Sequence, residues 1–150
     1  MSNDALCRAA SEAAQEERIV NPLERVTVGM TGNETVVVRP ELTVGHHVPG
    51  MPMVYGTPMM IYLMEVASAN TIVPVLPAGW VSVGAEVNVR HLAATPVGRT
   101  VTATARVVAV TEKTVTFAVE AHDGVRKIGE GTHVRGAVDQ ARFEARLKAG

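Results

Sequence analysis

One apolar stretch, residues 59–67, limits the folds open to this chain, because it reads as a helix without a polar face. The stretch contains Glu65, the only charged side chain between Glu41 and Glu86. A helix that is apolar on every side is normally buried. Burying an unpartnered carboxylate is costly or leaves it protonated, so we expect Glu65 to have a partner or a chemical role. The structural alternative is a Glu at the mouth of a groove that reaches water or pairs with an Arg.

The ends of this helix are marked by Thr and Pro residues. Thr57 suits the N-cap and Pro58 suits the first helical position, where no N–H is needed. Pro74 and Pro77 stop the helix, which is predicted to run from Thr57 to about Val73. The apolar run is short for a bilayer and is interrupted by polar residues and prolines, so we expect no membrane span.

The segments after Trp80 change to a period of two, which is typical of half-buried strands. Apolar residues occupy odd positions in three of them: Val81 to Val89, Val101 to Ala109, and Val115 to Ala121. A fourth strand is predicted from Ile128 to Val138, after a turn at Asp123-Gly124, and a short charged helix at 139–148. Before the long helix, residues 26–28 and 35–38 are predicted to form a strand pair or one bent strand, and 45–58 a loop.

This order of elements predicts an α+β domain in which an antiparallel sheet wraps around one long central helix. The domain is assigned to residues 23–150, and residues 1–22 to a flexible or helical N-terminal arm. A chain of 150 residues, 47% hydrophobic and 19% charged, suits one domain of this kind.

The net charge of the chain limits the classes of partner that it can attract. A net charge of −1 gives no general attraction to nucleic acid, and the arm is too short for a helix-turn-helix. Residues 86–150 nevertheless hold ten Lys or Arg against seven Asp or Glu, so this half could meet an anionic ligand. Cys7 is the single cysteine, and the N-terminus lacks an apolar signal region, so we expect a cytoplasmic protein.

Three residues form a candidate catalytic group. Strand alternation places His91 on the apolar face that meets the helix, where it could form an acid–base pair with Glu65. Thr57 supplies a hydroxyl at a helix N-terminus, whose N–H groups would stabilise an oxyanion. Eight helical residues rise about 12 Å, so Thr57 and Glu65 cannot touch in a straight helix. Substrate, water or His91 must lie between them, or the two residues come from different subunits.

The remaining polar motifs are weaker. His46 and His47 point to opposite sides of an extended chain and make a poor metal pair, so we expect no metal site. No phosphate-binding loop or cofactor motif is present. His133 alternates with Val134 and is predicted to face solvent. Five methionines suit either an adaptable core or a pliable acyl pocket: Met51, Met53, Met59, Met60 and Met64.

At these residues the chain resembles a known family. The segments are Tyr-Gly-Thr-Pro-Met-Met-Ile-Tyr-Leu-Met-Glu at 55–65, Val-Asn-Val-Arg-His-Leu-Ala-Ala-Thr-Pro-Val-Gly at 87–98, Ala-His-Asp-Gly at 121–124 and Ile-Gly-Glu-Gly-Thr-His at 128–133. Their order and spacing resemble the fluoroacetyl-CoA thioesterase family of the hot-dog fold, over about residues 35–145. The resemblance implies a homodimer or dimer of dimers that hydrolyses an acyl-CoA without a cofactor, with Thr57, Glu65 and His91 as its catalytic group.

The chain departs from this family in the loop before Thr57. The fluoroacetyl-specific enzyme closes its acyl pocket with a phenylalanine-containing lid, whereas the two phenylalanines here, Phe117 and Phe143, lie far downstream. The substrate-binding residues are therefore predicted to be Met51, Met53, Val54 and Gly56. The identity of the acyl group is not predicted. Two alternatives remain: a hot-dog enoyl-CoA hydratase, which would need an Asp/His pair on the helix, and a non-catalytic acyl-CoA-binding module.

Overall fold

The architecture follows the predicted order of one strand, one long helix and four strands. A computed structural model describes residues 21–150, so the predicted arm 1–22 lies almost entirely outside the described residues. The elements are β1 (Thr31–Val37), α1 (Val44–His47), α2 (Thr57–Ile72), β2 (Trp80–His91), β3 (Thr100–Val110), β4 (Thr114–His122), β5 (Lys127–Asp139) and α3 (Gln140–Ala149). Short 3-10 turns occupy Pro40–Leu42 and Val73–Val75.

The five strands form one antiparallel sheet in the order β1-β3-β4-β5-β2. The central strands β3 and β4 supply the core that supports α2. Their inward positions are fully buried, as the alternation predicted: Val101, Ala103, Ala105, Val107, Val115, Phe117, Val119 and Ala121. In the described part of the chain β1 and β2 are the two edges of the sheet, and no strand pairs with the outer side of β2.

The described residues, 21–150, cover α2 on only one side. Met60, Leu63, Met64 and Ala67 are buried against the sheet, whereas Tyr62 is 65% exposed. The expectation that this helix is buried all round is therefore not met by one chain alone. Its apolar outer stripe instead stays open to solvent.

The segment Thr57–Val75 has the length and composition of a membrane span, but core helices meet the same criterion. Here the helix packs inside a sheet.

A bulge in β2 corrects the predicted single apolar face of that strand. Gly84 pairs with Arg135 and Glu86 with Val134, so Ala85 is an extra residue. An extra residue moves the following side chains to the opposite face. Val81 and Val83 accordingly point away from α2, whereas the odd positions after the bulge turn toward it: Val87, Val89 and His91.

A second bulge explains why the prediction for His133 is wrong. Ala121 pairs with Gly129 and His122 with Lys127, which leaves Ile128 as the extra residue of β5. Counting by twos from the buried Ile128 therefore places His133 on the wrong face. In the structure His133 is 1% exposed and stacks on Phe117, with ring centroids 6.3 Å apart.

The region before α2 differs from the prediction in two places. Residues 26–28 form no strand, and Leu23 and Val26 instead pack into the core from a turn. The predicted loop contains the short helix α1, capped by Thr43, whose Oγ1 accepts from the His46 N–H at 3.3 Å.

Candidate functional site

The Thr57 hydroxyl does not cap α2. The helix begins at Thr57 as predicted, but its N-cap is Gly56 and not Thr57. The Gly56 N–H donates to Leu42 O at 2.9 Å, and the Met59 N–H donates to Gly56 O at 3.0 Å. Pro58 has no N–H. Within residues 21–150, the Thr57 N–H is thus the donor of this first turn that has no backbone acceptor.

Thr57 and His91 contact each other directly. Thr57 Oγ1 lies 2.7 Å from His91 Nδ1, which joins the start of α2 to the last residue of β2. Burial lowers the pKa of His91 below its usual value, against an opposing contribution from the Ala93 backbone. The imidazole is therefore mainly neutral near pH 7 and can accept the hydroxyl proton. Its Nε2 is buried and has no hydrogen-bond partner in the described part of the chain.

An open cleft of about 390 Å³ adjoins this pair. Apolar side chains and polar atoms contribute about equally to its walls, which consist of Val44, Val54, Tyr55, Thr57, His91, Leu92, Ala93 and Ala94. Burial raises the pKa of Tyr55 to about 12, so its hydroxyl stays protonated and donates to Met59 O at 3.1 Å. The cleft thus offers one hydroxyl–imidazole pair beside apolar side chains such as Val54 and Leu92, which suit a short acyl group.

The predicted substrate-binding residues divide into two groups. Val54 lines the cleft, and Gly56 is buried at the cap of α2. Met51 and Met53 do not line it within one chain and are 49% and 47% exposed.

The loop after His91 is anchored by a buried carboxylate. Asp123, in the β4–β5 turn, accepts from Thr95 Oγ1 and Arg99 Nη1, each at 3.0 Å. The Thr95 carbonyl in turn accepts from the Tyr55 N–H at 2.8 Å. Asp123 therefore ties the loop that follows His91 to the segment that precedes Thr57.

Glu65 lies elsewhere on α2. Its side chain is 33% exposed, and its Oε1 lies 3.8 Å from Nε2 of His133. The expected pairing of Glu65 with His91 is not found within one chain. The imidazole within 4 Å of this carboxylate is that of His133 on β5, whereas His91 is on β2.

Behind Glu65 is a buried polar network that the sequence analysis missed. His133 Nδ1 donates to Glu86 O at 2.8 Å, and its Nε2 accepts from Arg135 Nη1 at 3.2 Å. A carbonyl only accepts and a guanidinium only donates, so this imidazole is neutral with its proton on Nδ1. Burial and the Arg135 charge lower the pKa of His133, against contributions from the Glu86 carbonyl and Glu65.

Arg135 is held firmly in this network. It is 9% exposed, and its Nε and Nη2 donate to the Oγ and O atoms of Ser82, both at 2.9 Å. A Cβ placed at Gly84 would overlap Glu65 Oε1, so the carboxylate reaches its position only because this residue is glycine. The signals in the sequence were a glycine inside a strand and an arginine in a half-buried one.

No group of three His, Cys, Asp or Glu side chains that could hold a metal ion occurs within residues 21–150. His46 and His47 instead pack edge to face, with ring centroids 5.0 Å apart.

Comparison with known proteins assigns the chain to a family. The sequence profile of the fluoroacetyl-CoA-specific thioesterases matches residues 38–141. The fluoroacetyl-CoA thioesterase of Streptantibioticus cattleyicolor is 39% identical over 127 residues, which cover 81% of this chain and 91% of that protein. The chain belongs to the fluoroacetyl-CoA-specific thioesterase family. The predictions of this family and of a thioester hydrolase are confirmed.

Solved structures confirm the hot-dog fold. The structure of the fluoroacetyl-CoA thioesterase FlK has a TM-score of 0.79 at 37% identity, covering 84% of this chain and 98% of that one. A thioesterase superfamily member from Thermus thermophilus has a TM-score of 0.77 at 31% identity, covering 84% and 93%. Similar structures of FlK variants contain fluoroacetate with CoA, or acetyl-CoA.

Proposed function

We propose that this protein hydrolyses a small acyl-CoA thioester to the free acid and CoA, with Thr57, Glu65 and His91 as its catalytic group. The observation that carries the proposal is the 2.7 Å contact between Thr57 Oγ1 and His91 Nδ1 at the wall of an open cleft. Membership of a thioesterase family supplies the reaction class.

The contact suits attack on a thioester carbonyl. His91 accepts the proton of the attacking hydroxyl, which belongs to Thr57 or to a water molecule. Negative charge then develops on the carbonyl oxygen, and the Thr57 N–H at the positive end of α2 can receive it. The carbon–sulfur bond breaks, and the protonated imidazole returns its proton to the leaving thiolate. Where Thr57 attacks, water then hydrolyses the acyl ester on its Oγ1, which releases the acid and restores the hydroxyl.

Glu65 acts either as general base for the water that hydrolyses an acyl ester on Thr57, or as the transient nucleophile in place of Thr57. It lies two helical turns from Thr57, about 12 Å along the axis. We therefore favour a site shared between two subunits, in which Thr57 and His91 of one chain face Glu65 of a second copy. Its support is that Glu65 is 33% exposed at the flank of α2 and meets His133 rather than His91 in its own chain.

A homodimer would cover the surfaces that one chain leaves open. Among residues 21–150 no strand pairs with the outer side of β2, and exposed apolar residues lie on β2 and α2, such as Val87 and Tyr62. Unpaired edges and apolar patches are surfaces that proteins normally cover. An isologous contact through β2 and α2 would cover both at once.

The acyl preference is assigned to the loop before Thr57. Met51 and Met53 are exposed in the single chain and lie in the loop that precedes Thr57. Methionine side chains adapt to different shapes, which suits a lid over several short acyl groups.

Release of the CoA thiol tests the function directly. Purified protein is assayed with a thiol reagent over a panel of short acyl-CoAs, including acetyl-CoA and fluoroacetyl-CoA. We expect turnover by the wild type and a large loss in Thr57→Ala with an unchanged melting temperature. Absence of turnover on every member of the panel, with CoA binding retained, would favour the acyl-CoA-binding module instead.

A further inference from the structure

The C-terminal helix encloses a second groove, which the catalytic group does not use. α3 packs against the end of β5 and the start of β2 and leaves a cavity of about 230 Å³. Two aromatic and two cationic side chains form most of its wall, and the lining is Trp80, Phe143, Arg142, Arg146, Ala137, Val138 and Asp139.

The charges of this groove favour an anion. Arg142 and Arg146 are one helical turn apart on α3, and within residues 21–150 neither lies within 4 Å of a carboxylate. The one acidic group of the lining, Asp139, caps α3: its Oδ1 accepts from the Arg142 N–H at 3.1 Å. Guanidinium groups bind phosphate oxygens in a planar, paired geometry.

The aromatic side chains favour a planar ring beside that anion. Trp80 is half-buried and Phe143 is 37% exposed, so ring surface of both is open to the groove. Bases stack on aromatic faces with little regard to their identity. Phosphates and an aromatic base together are the features of a phosphorylated nucleoside.

The groove lies within reach of Glu65. Trp80 pairs with Asp139, and four residues further along β2 Gly84 pairs with Arg135. Four strand residues span about 13 Å. Positions 80, 82 and 84 precede the bulge and share one face, the face on which Ser82 meets Arg135 and Gly84 meets Glu65. The groove and Glu65 are therefore on the same side of the sheet.

We propose that this groove binds the 3′-phosphorylated ADP end of CoA, with the adenine on Trp80 and Phe143 and the phosphates on Arg142 and Arg146. The pantetheine arm then runs along β2 toward Glu65. This assignment rests on the proposed acyl-CoA substrate and adds the residues that recognise its nucleotide. It also gives the basic C-terminal half of the chain a specific ligand.

Trp80 makes the binding step visible without catalysis, because it is the only tryptophan in the chain. Adenosine 3′,5′-bisphosphate is titrated against the whole protein while tryptophan fluorescence is recorded. We expect a saturable change that adenosine alone does not produce. Arg142→Ala/Arg146→Ala should weaken binding about tenfold or more, whereas the control Lys148→Ala, a cation of α3 outside the lining, should bind as the wild type does. No change on titration, or equal weakening by the control, would overturn the assignment.

Kinetics separate this inference from the proposed reaction. The double arginine variant should raise KM for acetyl-CoA about tenfold or more, with kcat nearly unchanged. With S-acetyl-pantetheine, which lacks the nucleotide, the variant and the wild type should have the same kcat/KM. An unchanged KM for acetyl-CoA in an active double variant overturns the nucleotide site and leaves the hydrolase intact. Bisphosphate binding that depends on the arginines, in a protein without thioesterase activity, supports the site and rejects the reaction.

Discussion

Thr57 lies at the exposed start of α2, whereas Glu65, two turns later, lies against the buried histidine and arginine of β5. Thr57 meets His91 through one contact at the rim of an open cleft. Glu65 instead lies beside a network in which Arg135 is hydrogen-bonded to both His133 and Ser82. The two histidines reflect this difference. Among residues 21–150 the Nε2 atom of His91 has no hydrogen-bond partner, whereas both ring nitrogens of His133 have one.

Under the proposed function, Thr57 and His91 form the reacting pair, and the network of His133, Arg135 and Ser82 supports Glu65. An exposed hydroxyl beside a neutral imidazole can change partners during a reaction at little structural cost. A buried network that loses one member leaves an unsatisfied polar group, which costs about 1–3 kcal/mol or more. Substitutions at Thr57 and His91 should therefore change activity alone, and substitutions behind Glu65 should change activity and stability together.

The largest expected effect comes from removing the proton carriers. Glu65→Gln keeps the side-chain shape but removes its basicity, and His91→Ala removes the imidazole, so each should lower kcat by about 10²–10⁴-fold. Residues that act as a unit are not additive, so the double variant should be little worse than the poorer single one. A folded Glu65→Gln protein with wild-type turnover on its best substrate would return Glu65 to a structural role.

Mixing two inactive variants tests whether the two regions meet across subunits. Thr57→Ala and Glu65→Gln are each inactive in this proposal, but a mixed dimer would contain one site with both residues intact. Random exchange of subunits should restore activity to about a quarter of all sites. The mixture is unfolded and refolded together, and turnover is compared with each variant treated alone. If activity does not return although mixed dimers form, Thr57 and Glu65 act within one chain.

The sequence predicted most of the fold because its signals were local and repeated. The prolines around α2 and the alternation in β3 and β4 each specify an element without help from distant residues. The face of the sheet was predicted wrongly for Val81 and for His133. In each case the cause is one extra residue, a bulge, in the strand that contains the residue. Nothing in the local pattern marks such a bulge, because the partner strand decides it.

The candidate site was predictable as a set of residues but not as an arrangement. Thr57, Glu65 and His91 could be selected by chemistry and resemblance, and the contact of Thr57 with His91 follows from packing α2 on β2. The network of His133 and Arg135 could not be found in this way, since it depends on both bulges and on the missing Cβ of Gly84.

Gly84→Ala perturbs the supporting region alone. The new Cβ would overlap Glu65 Oε1, which sits at the end of a flexible side chain, so the carboxylate must move. A displacement of about 1 Å can lower a rate about 100-fold, so kcat should fall about 10- to 100-fold while KM changes little. The control is Gly136→Ala on β5, where the nearest atom to the new Cβ is 3.6 Å away. Equal kinetics of the two variants would show that the place of Glu65 does not matter.

The anchor of the His91 loop should make stability depend on acidity. Burial alone would raise the pKa of Asp123, but hydrogen bonds from the Arg126 and Val125 N–H groups, Arg99 and Thr95 hold it far below its ordinary value. A depressed pKa contributes stability above the unfolded value of 3.8 that is lost as the pH falls below it. Asp123→Asn should lower the free energy of unfolding by about 2–3 kcal/mol at pH 7, and by less at pH 3.

Chemical denaturation at the two pH values measures this difference. Asp139→Asn is the matched control, because asparagine caps a helix about as well as aspartate does. A loss in Asp123→Asn that is the same at both pH values would mean that the charge of Asp123 does not contribute.

The smallest expected effect concerns the loop before Thr57, which is proposed to close over the cleft. Exposed loop residues tolerate substitution, so Met51→Phe and Met53→Phe should leave the melting temperature nearly unchanged. If these residues close over the acyl group, a rigid ring should shift kcat/KM by a few-fold toward shorter chains across two- to eight-carbon acyl-CoAs. Val48→Phe is the control, since Val48 is 49% exposed in the same region but is not assigned to the lid. An unchanged chain-length profile in both methionine variants would remove them from the pocket and leave Val54, which already lines the cleft, as the residue to vary next.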